Sequence, residues 1–468
     1  MNNYFLTIFA LSCLGLGEGK AQYTILHNFN GVNGKWPYGS LTLSGNTLFG
    51  MATYGGAYDT GCIFSIDTNG SGYKDLLDFN GSNGAIPTGS LVISGNVLYG
   101  MTQNGGLNGV GNIFSIHIDG SGYKDLLNFN GTNGQNPEGS LTLYNNKLYG
   151  MTFEGGGISG FGNIFSIDTN GAGFKDLHDF NFINGGNPRG SLTISLSGNV
   201  LYGMTSEGAS ANSGNIFSID SNGNNFNDLL DFNDTNGADV QGSLVLLGYK
   251  LYGMTTQGGS NSLGVVFSLD TDGVGYKDIF DFNGTNGEYP LGSLTQVGNK
   301  LYGMTSGGGT NHSGCIFSID TNGSSYKDLF YFNSLSGAYP YNSLTYSTGI
   351  LYGMTYQGGR DSDGVIFKID SNSTLSINEL NLTLRSINLY PNPNSGIFTI
   401  SFVGAQNLVP ANIEIYNMLG EKLYTETLRS AQGGKLINLS GQPSGVYFYR
   451  VINENSDLIG EGKFVINH

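Results

Sequence analysis

The sequence predicts an all-β protein, a seven-bladed β-propeller of four-stranded blades closed by the N-terminal strand and followed by a small Ig-like β-sandwich. Three observations carry this prediction. A pattern of about fifty residues recurs seven times between residues 22 and 370. Each copy holds four short apolar runs bounded by Gly, Asn, Asp or Pro, and a different strand pattern begins near residue 388. These runs indicate strands, because helical repeats would show a 3.6-residue apolar period.

Two columns of short motifs define the repeat. The first is Gly-Ser-Leu, which recurs at intervals of 50, 50, 51, 52, 50 and 50 residues and carries Asn for Gly in its last copy. Its copies begin at Gly39, Gly89, Gly139, Gly190, Gly242, Gly292 and Asn342. The second is Leu-Tyr-Gly-Met-Thr, which follows six of the tripeptides, and the first copy carries the degenerate form Leu48-Phe49-Gly50-Met51-Ala52. Self-similarity at this period indicates a propeller, a solenoid or an array.

The four apolar runs of one copy give the order of strands within a blade. In the second copy they span 89–93, 97–102, 112–116 and 123–129, and we label them A to D. Four strands in forty to fifty residues are typical of a propeller blade. The structural alternative is an open solenoid, which would normally end in atypical capping units.

The phase of the repeat predicts that the ring closes on itself. The chain enters at a D-type strand, 23–29, and leaves the repeats at a C-type strand, 365–370. The last blade therefore lacks its own strand D. Supplying it from the N-terminus would pair both chain ends and remove an exposed sheet edge.

The first 21 residues have the length and composition of a signal peptide. An apolar run covers 4–17, and the small residues Gly19 and Ala21 fit a cleavage site after Ala21. A lipoprotein anchor at Cys13 is the alternative. No later stretch approaches the 18 apolar residues that a membrane-spanning helix needs, so we expect no transmembrane span.

Charge and cysteine content restrict the possible partners. The chain has 35 acidic and 19 basic residues, a net charge of -16, which repels phosphate backbones and makes nucleic acid an improbable partner. After the leader only Cys62 and Cys315 remain, at positions where other copies carry Asn or Val. We interpret both as small buried residues.

A second, unrelated β pattern follows the repeats. Residues 371–387 form a polar linker candidate, and 388–468 hold strand-like segments at 397–402, 413–416, 422–427, 446–451 and 462–466. Alternation of this kind predicts an antiparallel sandwich of about eighty residues.

Both regions resemble known families. With its Leu-Tyr-Gly-Met-Thr and Gly-x-Ile-Phe-Ser-Ile-Asp elements, 23–370 resembles the Gloeobacter/Verrucomicrobium-type tandem repeats of secreted bacterial proteins. Residues 388–468 resemble the C-terminal sorting domain of the type IX secretion system of Bacteroidota. The matching sorting-motif positions are Tyr390, Pro391, Asn392, Pro393, Gly420, Gly445 and Lys463.

The resemblance has consequences for location and partners. It implies passage through the inner membrane by the leader and recognition of the tail by the type IX secretion machinery at the outer membrane. The mature protein would then be secreted, either extracellular or held on the outer-membrane surface. An ordinary terminal Ig-like module is the alternative interpretation of the tail.

The repeats offer little for catalysis. They contain two arginines, Arg189 and Arg360, whereas a sialidase-like site needs three to hold the substrate carboxylate. The histidines at 27, 117, 178 and 312 fall at unrelated repeat positions, which argues against a metal site. We expect no catalytic residues, no metal and no cofactor. Paired carboxylates for glycoside cleavage remain the enzymatic alternative, with these candidates: Glu138, Glu154, Glu207 and Glu288.

The loop lengths indicate where a ligand would bind. The A–B and C–D turns are short, whereas the B–C and D–A loops are long and emerge on the same side of an up-and-down blade. The D–A loops carry the candidate ligand-binding residues Trp36, Tyr38, Tyr289, Tyr339 and Tyr341. Their rings could stack on sugars or simply pack on neighbouring prolines.

The leading interpretation is a non-catalytic, surface-displayed propeller that acts in adhesion or binds an extracellular glycan or protein ligand. A secreted polysaccharide-degrading enzyme is the alternative. A purely structural surface coat is a third interpretation, and no residue in the sequence discriminates it from the first.

Overall fold

The computed structural model describes residues 23–371, 386–403, 411–418, 421–428, 435–453 and 458–468. The predicted signal peptide, Cys13, Gly420 and most of the predicted linker lie outside these ranges. The chain forms two compact units, Met1–Leu375 and Ser376–His468. All regular elements in the described ranges are β-strands, and none of those residues forms a helix long and apolar enough to cross a membrane.

Twenty-eight strands make up the repeat region. They are β1 (Thr24–Asn28), β2 (Thr42–Ser44), β3 (Thr47–Ala52), β4 (Cys62–Asp67), β5 (Lys74–Asp78), β6 (Val92–Ser94), β7 (Val97–Thr102), β8 (Asn112–His117), β9 (Lys124–Asn128), β10 (Thr142–Tyr144), β11 (Lys147–Thr152), β12 (Asn163–Asp168), β13 (Lys175–Asp179), β14 (Thr193–Ile194), β15 (Val200–Thr205), β16 (Asn215–Asp220), β17 (Asn227–Asp231), β18 (Val245–Leu247), β19 (Lys250–Thr255), β20 (Val265–Asp270), β21 (Lys277–Asp281), β22 (Thr295–Val297), β23 (Lys300–Thr305), β24 (Cys315–Asp320), β25 (Lys327–Tyr331), β26 (Thr345–Ser347), β27 (Ile350–Thr355) and β28 (Val365–Asp370).

These strands form seven four-stranded antiparallel sheets, which resemble propeller blades. Six sheets take four consecutive strands each, from β2–β5 to β22–β25, and we number these units one to six. The seventh has the order β1-β28-β27-β26, with Ile25 opposite Phe367. The N-terminal strand therefore supplies the missing strand D, as the phase of the repeat predicts.

Strand A is shorter than predicted. In every unit it starts three residues after the Gly or Asn that opens the tripeptide, for example at Val92 rather than Gly89. The physical reason is that the tripeptide bonds to the neighbouring unit instead of to strand B. Each Ser accepts a hydrogen bond on its hydroxyl from the backbone N–H of the Ser before it in the ring, at 2.7–2.9 Å. The circle runs through Ser40, Ser90, Ser140, Ser191, Ser243, Ser293, Ser343 and back to Ser40.

Backbones approach closely along this circle. A Cβ at Gly292 would lie 2.2 Å from the Asn342 carbonyl oxygen, and the other five tripeptide glycines face their neighbours in the same way. Glycine is therefore required by space in six units. The seventh unit carries Asn342, whose side chain is buried and whose Nδ2 lacks a hydrogen-bond partner in the described part of the chain.

A second circle, of phenylalanines, joins neighbouring sheets through their apolar cores. The ring of each residue that follows strand D meets a strand C ring of the next unit edge-to-face, with centroids 5.3–5.5 Å apart. Phe29, which follows β1, packs against Phe64 of the first unit in this way. Edge-to-face packing adds to the apolar burial, so this circle stabilises the ring between sheets.

The tail unit contains seven strands in two sheets. They are β29 (Ser386–Tyr390), β30 (Ile397–Val403), β31 (Ala411–Tyr416), β32 (Lys422–Leu428), β33 (Lys435–Asn438), β34 (Gly445–Asn453) and β35 (Leu458–Ile466). The sheets have the orders β29-β30-β33 and β32-β31-β34-β35. β29 begins at Ser386, inside the predicted linker, and β33 was not expected. Phe398, Ile415 and Phe464 belong to the core of this unit.

Candidate ligand-binding face and sorting motif

The two long loops of each unit meet on one face of the repeat region. In the first unit Lys35 of the D–A loop and Tyr54 of the B–C loop form an antiparallel bridge, with Lys35 N–H 2.8 Å from Tyr54 O. The other units repeat this bridge at Ala85–Asn104, Gln135–Glu154, Gly186–Glu207, Ala238–Gln257, Glu288–Gly307 and Ala338–Gln357. We call this surface the long-loop face.

Each D–A loop holds a non-glycine residue in a left-handed backbone conformation at an equivalent position. Its φ is between 51° and 55° in all seven units, at Trp36, Ile86, Asn136, Asn187, Asp239, Tyr289 and Tyr339. This conformation is uncommon for bulky side chains and costs conformational energy. It is fixed by hydrogen bonds such as Trp36 N–H to Asp363 O at 2.9 Å and Tyr289 N–H to Leu263 O at 3.0 Å. The loops therefore hold these side chains in set directions.

Five aromatic rings from the seventh and first units form a continuous strip. Trp36 meets Tyr54 at 5.7 Å and Tyr356 at 5.9 Å between centroids. Tyr356 stacks on Tyr341 at 4.6 Å, and Tyr341 meets Tyr38 edge-to-face at 5.4 Å. All five rings are partly exposed. We call these residues the aromatic strip.

The structure brings three of the five candidate residues together. Trp36, Tyr38 and Tyr341 belong to the aromatic strip, whereas Tyr289 and Tyr339 lie elsewhere on the long-loop face with 40% and 39% of their surface exposed. Sequence reasoning missed Tyr54 and Tyr356. Tyr54 lies two residues after strand B and Tyr356 one residue after it. The signal that could have identified them is an aromatic residue at the start of the B–C loop, which the third unit also carries at Phe153.

Seven half-buried residues, one per unit, surround the centre of the ring. Each directly precedes a tripeptide, and together they form what we call the central ring: Tyr38, Thr88, Glu138, Arg189, Gln241, Leu291 and Tyr341. The hydroxyl of Tyr38 reaches across from the first unit to the fifth and donates to Gln241 Oε1 at 3.4 Å. Burial raises the pKa of Tyr38 to about 12, so this hydroxyl keeps its proton at neutral pH.

The third and fourth units contribute an ion pair to the central ring. Arg189 Nη1 lies 2.8 Å from Glu138 Oε2, and the Arg189 guanidinium lies 4.5 Å from the centroid of Phe153. Gln103 Nε2 donates to Glu138 Oε1 at 3.0 Å. Burial raises the pKa of Glu138, and Arg189 opposes that effect. The glutamate thus has both oxygens engaged by protein donors.

Two histidines of the repeat region pack against aromatic rings, and its two described cysteines are buried. His27 and His178 are not at unrelated repeat positions as expected: both lie two residues before the phenylalanine that follows strand D. They stack on Tyr73 and Phe226 at 3.9 and 4.0 Å. Cys62 and Cys315 are buried free thiols, as the sequence predicts. Within the described ranges no group of three His, Cys, Asp or Glu side chains could hold a metal ion.

The sorting-motif positions converge on the last strand of the tail unit. Tyr390 ends β29 with 55% of its surface exposed. Asn392 Oδ1 accepts the Val465 N–H at 2.9 Å, and Pro391 and Pro393 flank that asparagine. Gly445 starts β34 opposite Ile466 of β35. Lys463 is exposed on β35, opposite Phe448.

A buried carboxylate organises one sheet of the same unit. Glu414 accepts hydrogen bonds from Lys422 Nζ, Arg450 Nε and the Tyr416 hydroxyl, each at 2.6 Å. These donors lower the pKa of Glu414 to about 2, so the group stays ionised across the physiological range. Four side chains from three neighbouring strands are thereby tied together.

Family models cover most of the chain. The model described as the Gloeobacter/Verrucomicrobia repeat matches residues 7–214 and 197–379. The chain belongs to this repeat family. A model of the secretion system C-terminal sorting domain matches residues 388–467. The sorting domain shows that this repeat protein is secreted to the extracellular or outer-membrane surface through type IX secretion.

Solved structures are similar to this chain at low sequence identity. This repeat protein resembles PorZ, a surface component of the type IX secretion system of Porphyromonas gingivalis, at 14% identity and a TM-score of 0.45, covering 95% of this chain and 61% of that one. A puromycin-hydrolyzing peptidase of Mycobacterium tuberculosis matches at 10% identity and a TM-score of 0.51, covering 81% and 62%. The chain thus spans less than two thirds of either protein. No curated protein matches it.

Proposed function

We propose that this protein is a non-catalytic binding module, displayed at the cell surface or released, that acts in adhesion through a glycan ligand. In this proposal the seven sheets are the blades of a closed seven-bladed propeller, and the tail is an Ig-like sandwich that serves export. The long-loop face is the binding surface, because varied loops on a rigid scaffold commonly carry binding residues.

The aromatic strip is the observation that supports this proposal. It offers five partly exposed rings in one continuous row, each with an apolar face and most with a hydroxyl. A sugar presents an apolar C–H face together with hydroxyls, so such rings can stack on it and bond to it. Aromatic side chains also lose little conformational entropy on binding, since they have two rotatable side-chain bonds.

A polysaccharide-degrading enzyme is the second candidate, and one observation favours it. Glu138 is largely buried with a raised pKa, which is a property of general acids. Glycoside cleavage also needs a second carboxylate that faces the same bond. Both oxygens of Glu138 are already engaged by Arg189 and Gln103, which supports binding over cleavage.

The test is glycan binding by the full mature chain. We expect saturable binding on a glycan array, confirmed by pull-down with the hit immobilised, and at least about ten-fold weaker binding by Trp36→Ala because a stacking surface is lost. Tyr249→Ala is the matched control, since Tyr249 lies in the A–B turn between β18 and β19 with 85% of its surface exposed.

Two outcomes would overturn the proposal. Equal binding by Trp36→Ala and the unaltered chain would remove the aromatic strip from the site. Shortening of the bound oligosaccharide, measured by mass spectrometry after incubation and abolished in Glu138→Gln, would favour the enzyme instead.

A further inference from the structure

The central ring differs from unit to unit, whereas the residues beside it hardly vary. Ser and Leu follow in all seven units, and Gly precedes them in six. The position just before carries Tyr, Thr, Glu, Arg, Gln, Leu and Tyr. Packing of equivalent sheets would be served by one residue repeated seven times. Loss of symmetry at this position, between residues that hardly vary, is expected of a site that contacts one asymmetric ligand group.

The site offers several hydrogen-bond donors to a ligand. Arg189 has five N–H donors, and one of them donates to a protein acceptor in the described part of the chain. The Trp36 indole and the hydroxyl-bearing rings of Tyr341 and Tyr356 are partly exposed and can donate hydrogen bonds to a ligand. In contrast, both oxygens of Glu138 accept hydrogen bonds. The site therefore favours a ligand group rich in acceptor oxygens.

The positive charge of Arg189 favours a negatively charged ligand group. Its side chain is 30% exposed, and Phe153 supports the guanidinium from one side, which leaves the planar fork oriented. A guanidinium fork binds a carboxylate through two parallel hydrogen bonds. The net charge of -16 repels a polymer that carries a charge on every sugar. One carboxylate on an otherwise neutral chain avoids that repulsion.

We propose that the central ring binds the terminal sugar of a neutral glycan whose last residue carries one carboxylate. The carboxylate pairs with Arg189, and the preceding sugars lie along the aromatic strip toward Trp36. This assignment rests on the proposed glycan-binding function and adds the identity of the chain end. It gives a binding role to Arg189, which the aromatic strip does not include.

The experiment compares two ligands on the full mature chain by isothermal titration calorimetry. One is a neutral oligosaccharide from the array, and the other is the same oligosaccharide ending in a uronic acid. We expect the acid-ended ligand to bind at least about ten-fold more tightly, because it gains charge-assisted hydrogen bonds. Arg189→Gln should abolish the difference in affinity between the two ligands.

Glu138→Gln supplies a second test that does not depend on removing the arginine. The neutral amide competes less for the guanidinium, so we expect it to bind the acid-ended ligand more tightly than the unaltered chain does. Weaker binding of that ligand by a folded Glu138→Gln, or equal affinity of the unaltered chain for the two ligands, would overturn the inference. If both ligands bind equally and Trp36→Ala weakens the binding of both, the proposed glycan-binding function stands and the assignment of Arg189 fails. If neither binds, the proposed function itself fails.

Discussion

The backbone N–H of Ser343 donates to the hydroxyl of Ser40, 303 positions earlier in the chain, at 2.9 Å. The same bond links each of the other neighbouring serines in the circle, so the closing contact is equivalent to the six internal ones. In the apolar core, the edge-to-face contact between Phe29 and Phe64 is likewise equivalent to the contacts between the other neighbouring units. The unit completed by the N-terminal strand is therefore joined to the first unit by the same kinds of contact as the others.

The equivalence of the closing contact can be tested with two matched variants. Phe29 and Phe129 are both fully buried, and their edge-to-face partners lie 5.4 and 5.5 Å away. We expect Phe29→Ala and Phe129→Ala each to lower the free energy of unfolding by about 3–5 kcal/mol. Chemical denaturation of the full chain measures this. A large loss for Phe129→Ala with none for Phe29→Ala would show that the closing strand contributes little.

Asn342 breaks the glycine column at a cost in stability. Its buried Nδ2 has no hydrogen-bond partner in the described part of the chain. We expect Asn342→Gly to raise the free energy of unfolding by about 1 kcal/mol, since an unsatisfied buried amide is removed. Gly292→Asn is the reverse control and should destabilise, because its Cβ would meet the Asn342 carbonyl oxygen. A lower melting temperature for Asn342→Gly would contradict this account.

Pairs of aspartates in the outer strands make stability depend on pH. Burial, reinforced by the neighbouring Asp281 carboxylate, raises the pKa of Asp278 to about 6. Burial and the neighbouring Asp78 carboxylate raise the pKa of Asp75 to about 6 in the same way. A raised carboxyl pKa means that the folded state binds more protons than the unfolded state between the ordinary and the raised value. This contribution to stability therefore falls as the pH rises through that window and is constant above it.

The variant Asp278→Asn isolates that contribution. We expect its stability relative to the unaltered chain to increase from about pH 4 to about pH 6 and then to level off, because the amide cannot ionise. The second unit carries Asn128 at the position equivalent to Asp281, so the partner position of this carboxyl pair already accepts an amide. Urea denaturation at several pH values gives the result, and a difference independent of pH would contradict the assigned cause.

The sorting motif should act through its contact with the last strand. Asn392→Ala removes the acceptor for the Val465 N–H, so we expect less protein outside the cells and more retained within. Immunoblots of cell fractions measure the distribution. Met418→Ser is the matched control, since Met418 is 73% exposed in the same unit. Unchanged secretion of Asn392→Ala would show that this contact is dispensable for export.

Repeated motifs made most of the fold predictable from the sequence. The strand order and the closing role of β1 follow from the phase of the repeat, and β7 has the predicted bounds. Strand A was predicted too early, because Gly-Ser-Leu bonds between units and a pattern within one unit carries no sign of that. The position shared by His27 and His178 was missed, although both precede a buried phenylalanine by two residues.

The candidate site was only partly predictable. Trp36, Tyr38 and Tyr341 were identified because they are aromatic residues in long loops. Tyr356 and the Glu138–Arg189 pair were not assigned to the binding site, because their role depends on contacts between units, such as that of Tyr356 with Trp36. Such contacts depend on how closely neighbouring loops approach, and local spacing does not specify this.

The most direct test of the central claim is the fate and affinity of a glycan bound to the full mature chain. Calorimetric titration, followed by mass spectrometry of the recovered ligand, should show saturable binding of an oligosaccharide that is returned intact. Affinity should fall at least about ten-fold in Trp36→Ala and in Tyr356→Ala, and stay unchanged in Tyr249→Ala. Equal affinity in all four proteins, or recovery of a cleaved ligand, would contradict a non-catalytic binding role for the aromatic strip.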